Sequence, residues 1–474
     1  MSLRQALLPL AALLCGAATA LPFWVGRFVP LVDLPQHLAV VSVLRHHGDP
    51  AWGFGRHFDT EWGELTPYWT FYLATWGLSF AMSVETAARV FLSAYALLLP
   101  WAGIALCRTF GASPWIGLLT AGLALNANLY YGFVSYCAAV LLMLALLAAL
   151  ERSWRAASLA GTVFLTAGTA LLFFTHAQVL AFFLGGALLL AATAASTPWR
   201  TRLARLAPLG PGLALLLVWS YGQFVASRAG QGADYAFGRV GHMRAGFRPL
   251  GESLAALPDA IAGVFQDGSD TVLLLAWCAL SAWSWPRTGP GAADPARRRV
   301  LLLAALAGAA YFAAPLWIMG QWNIGPRFAW IAALLVLPAA RQHAAFDREV
   351  GAFDAALDHL PRGVSVAPLI FDARGAVLAQ WPYLHFGQYA MVRRGGLAAM
   401  NLGRVACFPI RMRDARTLPH TDPFRPGDFR FEEMGRLYDY FLLRRAGPWR
   451  ARLFPEGTVD TVYEGGDWTV LARR

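Results

Sequence analysis

Residues 133–150 read FVSYCAAVLLMLALLAAL, eighteen residues without a charge, and are followed at once by Glu151 and Arg152. As an α-helix this stretch extends about 27 Å, close to the roughly 30 Å hydrocarbon core of a bilayer. Similar apolar segments, this one included, lie at about 5–26, 87–107, 114–128, 133–150, 157–174, 178–196, 207–226, 270–285, 300–319 and 327–341. The sequence therefore predicts a polytopic α-helical membrane protein with about 10–11 transmembrane helices.

The last quarter of the chain has a different composition. Residues 1–341 hold 13 of the 28 acidic residues, whereas residues 342–474 hold the other 15. After a predicted helix at 344–359, strand-like runs follow at 363–371 and 438–444, and a hairpin is predicted from 458–463 and 468–472. We therefore expect a membrane domain, 1–341, and a small soluble α/β domain, 342–474.

The basic character of the chain comes from arginine alone. The net charge is +11, and all 39 basic residues are arginines. In a membrane protein such residues concentrate at the cytoplasmic ends of helices, which explains the charge better than nucleic-acid binding does. The five cysteines include no C-x-x-C pair, so neither a disulfide framework nor a zinc site is indicated.

Arginine placement also predicts the orientation of the spans. We expect 5–26 to be an uncleaved first helix, although residues 18–20 resemble a signal-peptide cleavage site. The arginines fall in cytoplasmic loops if 67–82, an apolar segment rich in Tyr and Trp, does not cross. The predicted outer segments are then 28–86 and 227–269. Ten crossings place the C-terminal domain in the cytoplasm; it lies outside if 67–82 crosses or if 327–341 does not.

The stretch Pro30–His37, PLVDLPQH, is the most informative for function. Asp33 lies at the predicted outer membrane boundary, where an ionisable side chain is costly unless it is paired or functional. The alternative is structural, because Pro35 suits the first turn of a helix that Asp33 would cap. We expect Asp33 to be functional.

This arrangement resembles the GT-C class of membrane glycosyltransferases, which includes the dolichyl-phosphate-mannose and aminoarabinose transferases. The resemblance covers the architecture of residues 1–341, and its compact motif is Asp33-Leu34-Pro35-Gln36-His37. It implies transfer of a hexosyl or pentosyl group from a polyprenyl-phosphate sugar to a glycan, lipid or protein acceptor. It also implies an active site on the outer face of a bacterial inner membrane, with Asp33 as general base or as a metal ligand.

Sugar transfer from a polyprenyl phosphate requires a base near the acceptor and positive charge near the departing phosphate. Candidate substrate- and phosphate-binding residues are His37, Arg327, Arg244, Arg248, Asn126, Asn128 and His176. Each has a structural alternative: an arginine can extend to the membrane surface, and a histidine can be an ordinary helix or hairpin residue.

The segment 126–133 lacks the second acidic residue that many members of the class carry there. Asp59 and Glu61 form the available D-x-E pair and are the candidate ligands for a divalent metal, Mg or Mn. The missing acid keeps open the hypothesis of a non-catalytic scaffold of envelope-glycan assembly, and a transporter is a further alternative. The absence of repeated halves disfavours a transporter.

Overall fold

The computed structural model describes residues 3–110, 113–194, 197–228, 245–265, 272, 275, 295–318, 321–331, 346, 348–376, 381–399, 401–404, 408–413 and 422–474. Described residues before 332 are mostly helical and pack into one helical bundle. Its helices are α1 (Leu3–Ala20), α2 (Pro22–Val25), α3 (Leu34–His46), α4 (Trp69–Leu78), α5 (Val84–Thr109), α6 (Ala127–Tyr130), α7 (Val134–Arg155), α8 (Leu159–Thr175), α9 (Ala177–Thr193), α10 (Trp199–Leu206), α11 (Gly210–Arg228), α12 (Leu250–Ala255), α13 (Leu257–Ala262), α14 (Pro295–Ala313) and α15 (Pro326–Ile331).

Within the described part of the chain, three helical stretches are long and apolar enough to cross a membrane: Val84–Thr109, Val134–Arg155 and Trp199–Gln223. They correspond to the predicted spans at 87–107, 133–150 and 207–226. Shorter apolar helices lie at Leu7–Ala20, Leu159–Thr175, Ala177–Thr193 and Leu302–Ala313. The predicted span 270–285 falls almost entirely outside the described residues.

Two other apolar segments, 114–128 and 67–82, contain helices of a different type or a shorter length than a membrane span requires. Residues Pro114–Ala124 form a 3-10 helix rather than an α-helix. It packs closely on α5, because a Cβ on Gly117 would lie 2.4 Å from the Ile104 nitrogen. Within 67–82, α4 has 10 residues and extends only about 15 Å. That length agrees with the prediction that this segment does not cross.

The two ends of the bundle differ in charge. At one end Arg155 donates to the Thr109 carbonyl oxygen (2.9 Å), and Arg299 pairs with the buried Glu151. We call this the arginine end; it carries Arg108, Arg152, Arg155, Arg202, Arg205 and Arg299. The opposite end, where Asp33 lies, is the domain end.

Before residue 332, the described strands are β1 (Phe58–Thr60) and a small sheet of β2 (Ala245–Gly246), β3 (Trp317–Ile318) and β4 (Gln321–Trp322). The C-terminal domain, as described from residue 346, is built on a five-stranded sheet of β6 (Leu397–Ala398), β5 (Ser365–Ile370), β8 (Tyr440–Arg444), β10 (Trp468–Arg473) and β9 (Val459–Gly465), in that order. Strand β5 runs parallel to both β6 and β8, while β8, β10 and β9 are antiparallel. The predicted strand and hairpin positions are confirmed. The elements are α16 (Phe353–Asp358), α17 (Tyr389–Arg394), α18 (Phe431–Met434), α19 (Trp449–Leu453), β5 (Ser365–Ile370), β6 (Leu397–Ala398), β7 (Ile410–Met412), β8 (Tyr440–Arg444), β9 (Val459–Gly465) and β10 (Trp468–Arg473).

The domain is fastened directly to segment 28–86. Strand β1 (Phe58–Thr60) pairs antiparallel with β7 from the domain. The Gly396 nitrogen donates to the Trp52 carbonyl oxygen (2.6 Å), and Arg393 pairs with Glu85 (3.1 Å). Phe28 packs in an aromatic cluster of the domain, with ring centroids 5.0–5.8 Å from Phe353, Phe386 and Tyr389.

This docking contradicts the prediction that segment 28–86 and the C-terminal domain lie on opposite sides of the membrane, because a domain hydrogen-bonded to 28–86 lies on the same side of any membrane as that segment. The domain end also holds α15, where the Arg327 carbonyl accepts from Tyr136, and Phe346, whose ring lies 5.4 Å from Tyr383. Residues 332–345 between them lie outside the described residues. The positions on either side agree with the alternative in which 327–341 does not cross.

Candidate active site

Asp33 lies at the start of α3, facing the C-terminal domain. Its backbone carbonyl accepts from the nitrogens of Gln36 and His37, but its carboxylate makes no capping hydrogen bond. The carboxylate Oδ1 lies 3.4 Å from Nε2 of His385, and 32% of the Asp33 side chain is accessible. Helix capping is therefore not what the carboxylate does here; it is presented to the domain and to solvent.

The loop 126–133 holds the backbone of Asp33 in place. The nitrogens of Val32 and Asp33 donate to the carbonyls of Tyr130 (2.9 Å) and Tyr131 (3.1 Å). Gly132 follows with φ +92°, and a Cβ there would lie 2.5 Å from the Asp33 nitrogen. Only glycine fits both this backbone conformation and this close approach.

Burial sets the charge of the three ionisable groups around this point. Burial raises the pKa of Asp33 to about 7, with partial opposition from the positive charge of Arg327. Burial lowers the pKa of His37 to about 4, although a hydrogen bond to the Gly132 backbone opposes it. Burial, and then the charge of His37, lower the pKa of His385 to about 3. Near neutral pH both imidazoles are uncharged, and Asp33 is the group that exchanges a proton.

His37 is tied into the bundle one turn after Asp33. Its Nδ1 lies 2.6 Å from the Tyr72 hydroxyl, and its ring lies 6.2 Å from that of Phe408, a residue of the domain. This fixes the ring beside Asp33 and His385. The expectation that His37 belongs to the same site as Asp33 agrees with this geometry.

Arg327 lies at the centre of the domain end, 7% exposed. Its guanidinium carbon stands 4.0 Å above the Phe133 ring, and Nη1 lies 3.5 Å from His176 Nε2 and 3.4 Å from Gln178 Oε1. These two distances are long for hydrogen bonds of a charged donor. Since its charge acts on the pKa of Asp33, the predicted base and the predicted phosphate-binding arginine are brought into one site.

His176 connects Arg327 to the aromatic side of the site. Its ring stands edge-on to Tyr68 (5.2 Å) and Tyr136 (5.3 Å), and no described residue gives its buried Nδ1 a hydrogen bond. Tyr68 has φ 88°, which is costly for a bulky residue and recurs at functional sites. The Tyr68 ring also stacks on Phe408 (5.8 Å), so a continuous row of rings joins His176 to His37.

The remaining predicted binding residues divide into three groups. Asn126 caps α6 through the Leu129 nitrogen (3.2 Å) and hydrogen-bonds to Tyr95 and Cys137, which gives it a structural task; Asn128 is also buried. Arg248 lies near Tyr131 and Tyr311, at the edge of the site. Arg244 lies outside the described residues.

Asp59 and Glu61, the predicted metal ligands, each form an ion pair. Asp59 pairs with Arg413 (2.7 Å) and Glu61 lies 3.5 Å from Arg411, both arginines coming from the C-terminal domain. Among the described residues no group of three or more His, Cys, Asp and Glu is placed to hold a metal. The two acids instead reinforce the pairing of β1 with β7, and Asp33 itself faces a histidine and an arginine. These residues do not fit a divalent metal.

Sequence reasoning missed the contribution of the C-terminal domain. His385 and Phe408 reach the site from the domain, and Tyr68 and Tyr72 reach it from the segment before and within α4. The available signal was a single histidine inside the aromatic run 381–389, WPYLHFGQY. The predicted topology separated this histidine from Asp33 by the membrane, so His385 could not be assigned to the same site.

Comparison with known proteins adds no assignment. No protein-family model matches the chain, and no curated protein matches it in sequence. The resemblance to the GT-C class therefore rests on the predicted architecture and on the motif at Asp33–His37. Any functional assignment has to be argued from the geometry of the site itself.

Proposed function

We propose that the chain is a polytopic membrane glycosyltransferase that moves a sugar from a polyprenyl-phosphate donor to an acceptor outside the cytoplasm. The observation that carries the proposal is the convergence of Asp33, His37 and Arg327 at one end of the bundle. A carboxylate whose pKa of about 7 lies near neutral pH is there within electrostatic range of a buried guanidinium. A partly accessible carboxylate with a raised pKa, in electrostatic range of a buried arginine, is typical of a functional site.

In this proposal the arginine end faces the cytoplasm of a bacterial inner membrane. Short loops rich in arginine are retained on the cytoplasmic side. The arginine end gathers such residues from the ends of α5, α7 and α14, and from α10. Asp33 and the C-terminal domain then face outward, where a lipid-linked sugar and an envelope acceptor meet.

The chemistry follows from the site's residues. The acceptor hydroxyl attacks the anomeric carbon of the donor sugar, and its proton passes to the carboxylate of Asp33. The bond between that carbon and the phosphate oxygen breaks, and the phosphate leaves with the bonding electrons. Asp33 is a suitable base because its pKa of about 7 lies near the working pH.

The departing polyprenyl phosphate gains negative charge, and Arg327 is the residue to receive it. Its contacts with His176 and Gln178, at 3.4–3.5 Å, are long enough to yield to shorter bonds with phosphate oxygens. A guanidinium fixed above the Phe133 ring needs little reorganisation when that charge develops. No step of this mechanism requires a metal ion.

His385 has a positioning role in this scheme. Neutral His385, in the tautomer with its proton on Nε2, donates toward Asp33 Oδ1 and orients the carboxylate. The docked domain thus completes the site that α3 begins.

The second candidate is a non-catalytic scaffold, and one observation favours it. The contact between Asp33 and His385 joins the bundle to the domain, so the carboxylate has a structural use as well. In that case the amide of asparagine, which also accepts a hydrogen bond from His385, would serve equally well. The two hypotheses therefore differ in their response to Asp33→Asn.

The test is mass spectrometry of envelope glycans from cells lacking the protein and from cells re-expressing it. We expect the null strain to lose one sugar modification. Wild type and Asp49→Asn should restore it, because Asp49 is exposed in the same outer segment and away from the site. Asp33→Asn should reduce transfer by about 10²–10⁴-fold, the usual contribution of a general base.

The outcomes separate the hypotheses. Full restoration by Asp33→Asn would assign the protein a scaffold role, provided that the variant accumulates in the membrane like wild type. Unchanged glycans in the null strain would remove the glycosyltransferase proposal altogether.

A further inference from the structure

A cavity of about 650 Å³ lies at the arginine end, far along the bundle from Asp33. Its wall is formed by α7, α8 and α10 together with the loop that joins α7 to α8. Alanine and glycine make up much of that wall, and their small side chains leave the space open. The catalytic proposal gives this cavity no task.

Two arginines from separate helices reach this cavity. Arg152 lines the cavity from the end of α7, and Arg205 lines it from α10. Arg152 donates to the Ala105 carbonyl (3.3 Å), whereas the buried Nε of Arg205 finds no acceptor among the described residues. No acidic residue is among the described lining residues, and nearby Glu151 is paired with Arg299.

A buried arginine nitrogen without an acceptor is costly, and an anionic ligand removes that cost. The Ser158 hydroxyl stands on the same wall, whereas the Ser153 hydroxyl already donates to the Leu150 carbonyl oxygen (2.6 Å). The two arginines and the Ser158 hydroxyl form a set of donors suited to a phosphate group. The cavity is therefore polar and cationic at one point and apolar over the rest.

The surroundings of the cavity indicate a lipid as the source of that phosphate. Helix α10 carries three arginines and also exposes Trp199 (64%) and Leu203 (57%), the pattern of a helix that lies in the membrane interface. On the other side, Phe164 of α8 lines the cavity and is 44% exposed, beside the exposed Val163. An acyl chain can pass from the cavity onto this apolar surface.

We infer that the cavity between α7, α8 and α10 binds one anionic phospholipid, with its phosphate held by Arg152 and Arg205. The inference requires only that the bundle spans a membrane; it is independent of the glycosyltransferase reaction. Cytoplasmic leaflets are rich in anionic lipids, which matches the side proposed for the arginine end.

The experiment measures lipid that stays with the protein. The full chain is reconstituted into vesicles of equal parts phosphatidylglycerol and phosphatidylcholine and extracted in mild detergent. The phospholipid retained per chain is then quantified by mass spectrometry. We expect about one phosphatidylglycerol per wild-type chain. Arg152→Ala with Arg205→Ala should retain roughly tenfold less, from the attraction of two arginines for anionic lipid.

Two variants guard against a general loss of structure or charge. Arg108→Ala removes an exposed arginine of the same end that does not line the cavity, and it should retain lipid like wild type. Ala149→Leu keeps both arginines but fills part of the cavity, and it should lose phosphatidylglycerol.

Equal retention by the double variant and Arg108→Ala would overturn the inference, as would equal retention of the two lipids by wild type. Lipid-free protein is also titrated with inorganic phosphate. If phosphate raises the thermal stability as much as phosphatidylglycerol does, the ligand is a free phosphate and the lipid assignment fails. Glycan analysis is not part of this readout, so it stands or falls separately from the proposed reaction.

Discussion

The domain end and the arginine end of the bundle use the same cation in opposite ways. At the domain end Arg327 is 7% exposed and is surrounded by Phe133, Tyr136 and His176. At the arginine end the Arg155 side chain is 58% exposed and donates a hydrogen bond to the carbonyl oxygen of Thr109, at the end of α5. In the proposed mechanism, burial rather than residue type separates the arginine that acts on the substrate from those that orient the chain in a membrane.

The sharpest test of this comparison is the location of the two ends. Alkaline phosphatase is active only outside the cytoplasm, and a fluorescent protein fusion reports the cytoplasmic side. We expect a phosphatase fusion at Arg474 to be active and one at Leu209, beside α10, to be inactive. The difference should be all-or-none, because the two positions lie at opposite ends of the bundle.

Two results would contradict the orientation. Activity at both positions would mean that the chain between them does not separate the ends by a membrane. Activity at Leu209 alone would invert the assignment of the two ends. Matched fluorescent fusions at the same positions should give the reverse pattern and thereby exclude poor expression as the cause.

The next largest effect is expected from truncating the buried arginine. Arg327→Ala should lower transfer by about 10²–10³-fold, the usual loss when a group that stabilises developing negative charge is removed. Arg327→Lys should recover only part, because an ammonium lacks the planar pair of donors. Transfer would be measured with purified protein and a polyprenyl-phosphate sugar in detergent.

Arg108→Ala, which removes an exposed arginine outside the proposed lipid cavity, is the matched control at the arginine end. It should leave the rate of transfer within about twofold of wild type, since surface substitutions away from a site usually change little. Equal losses of transfer rate in the two alanine variants would show that the position of an arginine along the bundle does not determine its effect on transfer. The comparison between buried and exposed arginines would then fail.

The features that the sequence could predict are those that depend on interactions between residues close together in the chain. Apolar runs such as Val134–Arg155 and the alternating hairpin of β9 and β10 are local patterns, and both were predicted. The pairing of Phe58 with Met412 joins residues about 350 positions apart and has no local signal. For the same reason Asp33 could be singled out from its neighbours, whereas His385 could not.

The error in domain placement has a specific cause. The segment 327–341 has an apolar composition that hydropathy reads as a span, and one added crossing moves everything after it to the other side. The contacts of Arg327 with His176 and Gln178, which place α15 at the domain end, depend on α8 and α9 and are invisible in a hydropathy window. A predicted number of membrane crossings is therefore most open to error at the shortest predicted span.

A smaller effect is expected from the glycine that lets loop 126–133 approach Asp33. Gly132→Ala places a Cβ 2.5 Å from the Asp33 nitrogen at φ +92°, so it should cost about 1–3 kcal/mol of stability and displace Asp33. Gly185→Ala is the control: Gly185 is an exposed position of α9 where a Cβ meets no atom within 4 Å, so the change should be neutral or slightly stabilising. Thermal unfolding of both in detergent checks this. Equal unfolding temperatures would show that the close approach is not needed.

The smallest expected effect concerns pH. Transfer needs ionised Asp33, so the rate should rise with pH and level off above the pKa of about 7. The pKa values of about 4 for His37 and about 3 for His385 lie below this range, so neither imidazole should add an inflection between pH 5 and 8. The profile is obtained as kcat/KM at constant ionic strength.

The positive charge of Arg327 holds the pKa of Asp33 below the value that burial alone would give. Removing that charge in Arg327→Gln should therefore raise the pKa and move the midpoint of the residual activity to higher pH. Arg108→Gln makes the same chemical change at the arginine end and should leave the midpoint in place, because Asp33 lies at the far end of the bundle. A midpoint that stays fixed in Arg327→Gln, or moves to lower pH, would mean that Arg327 does not act on Asp33. A midpoint that moves equally in both variants would mean that net charge, rather than a shared site, sets the titration.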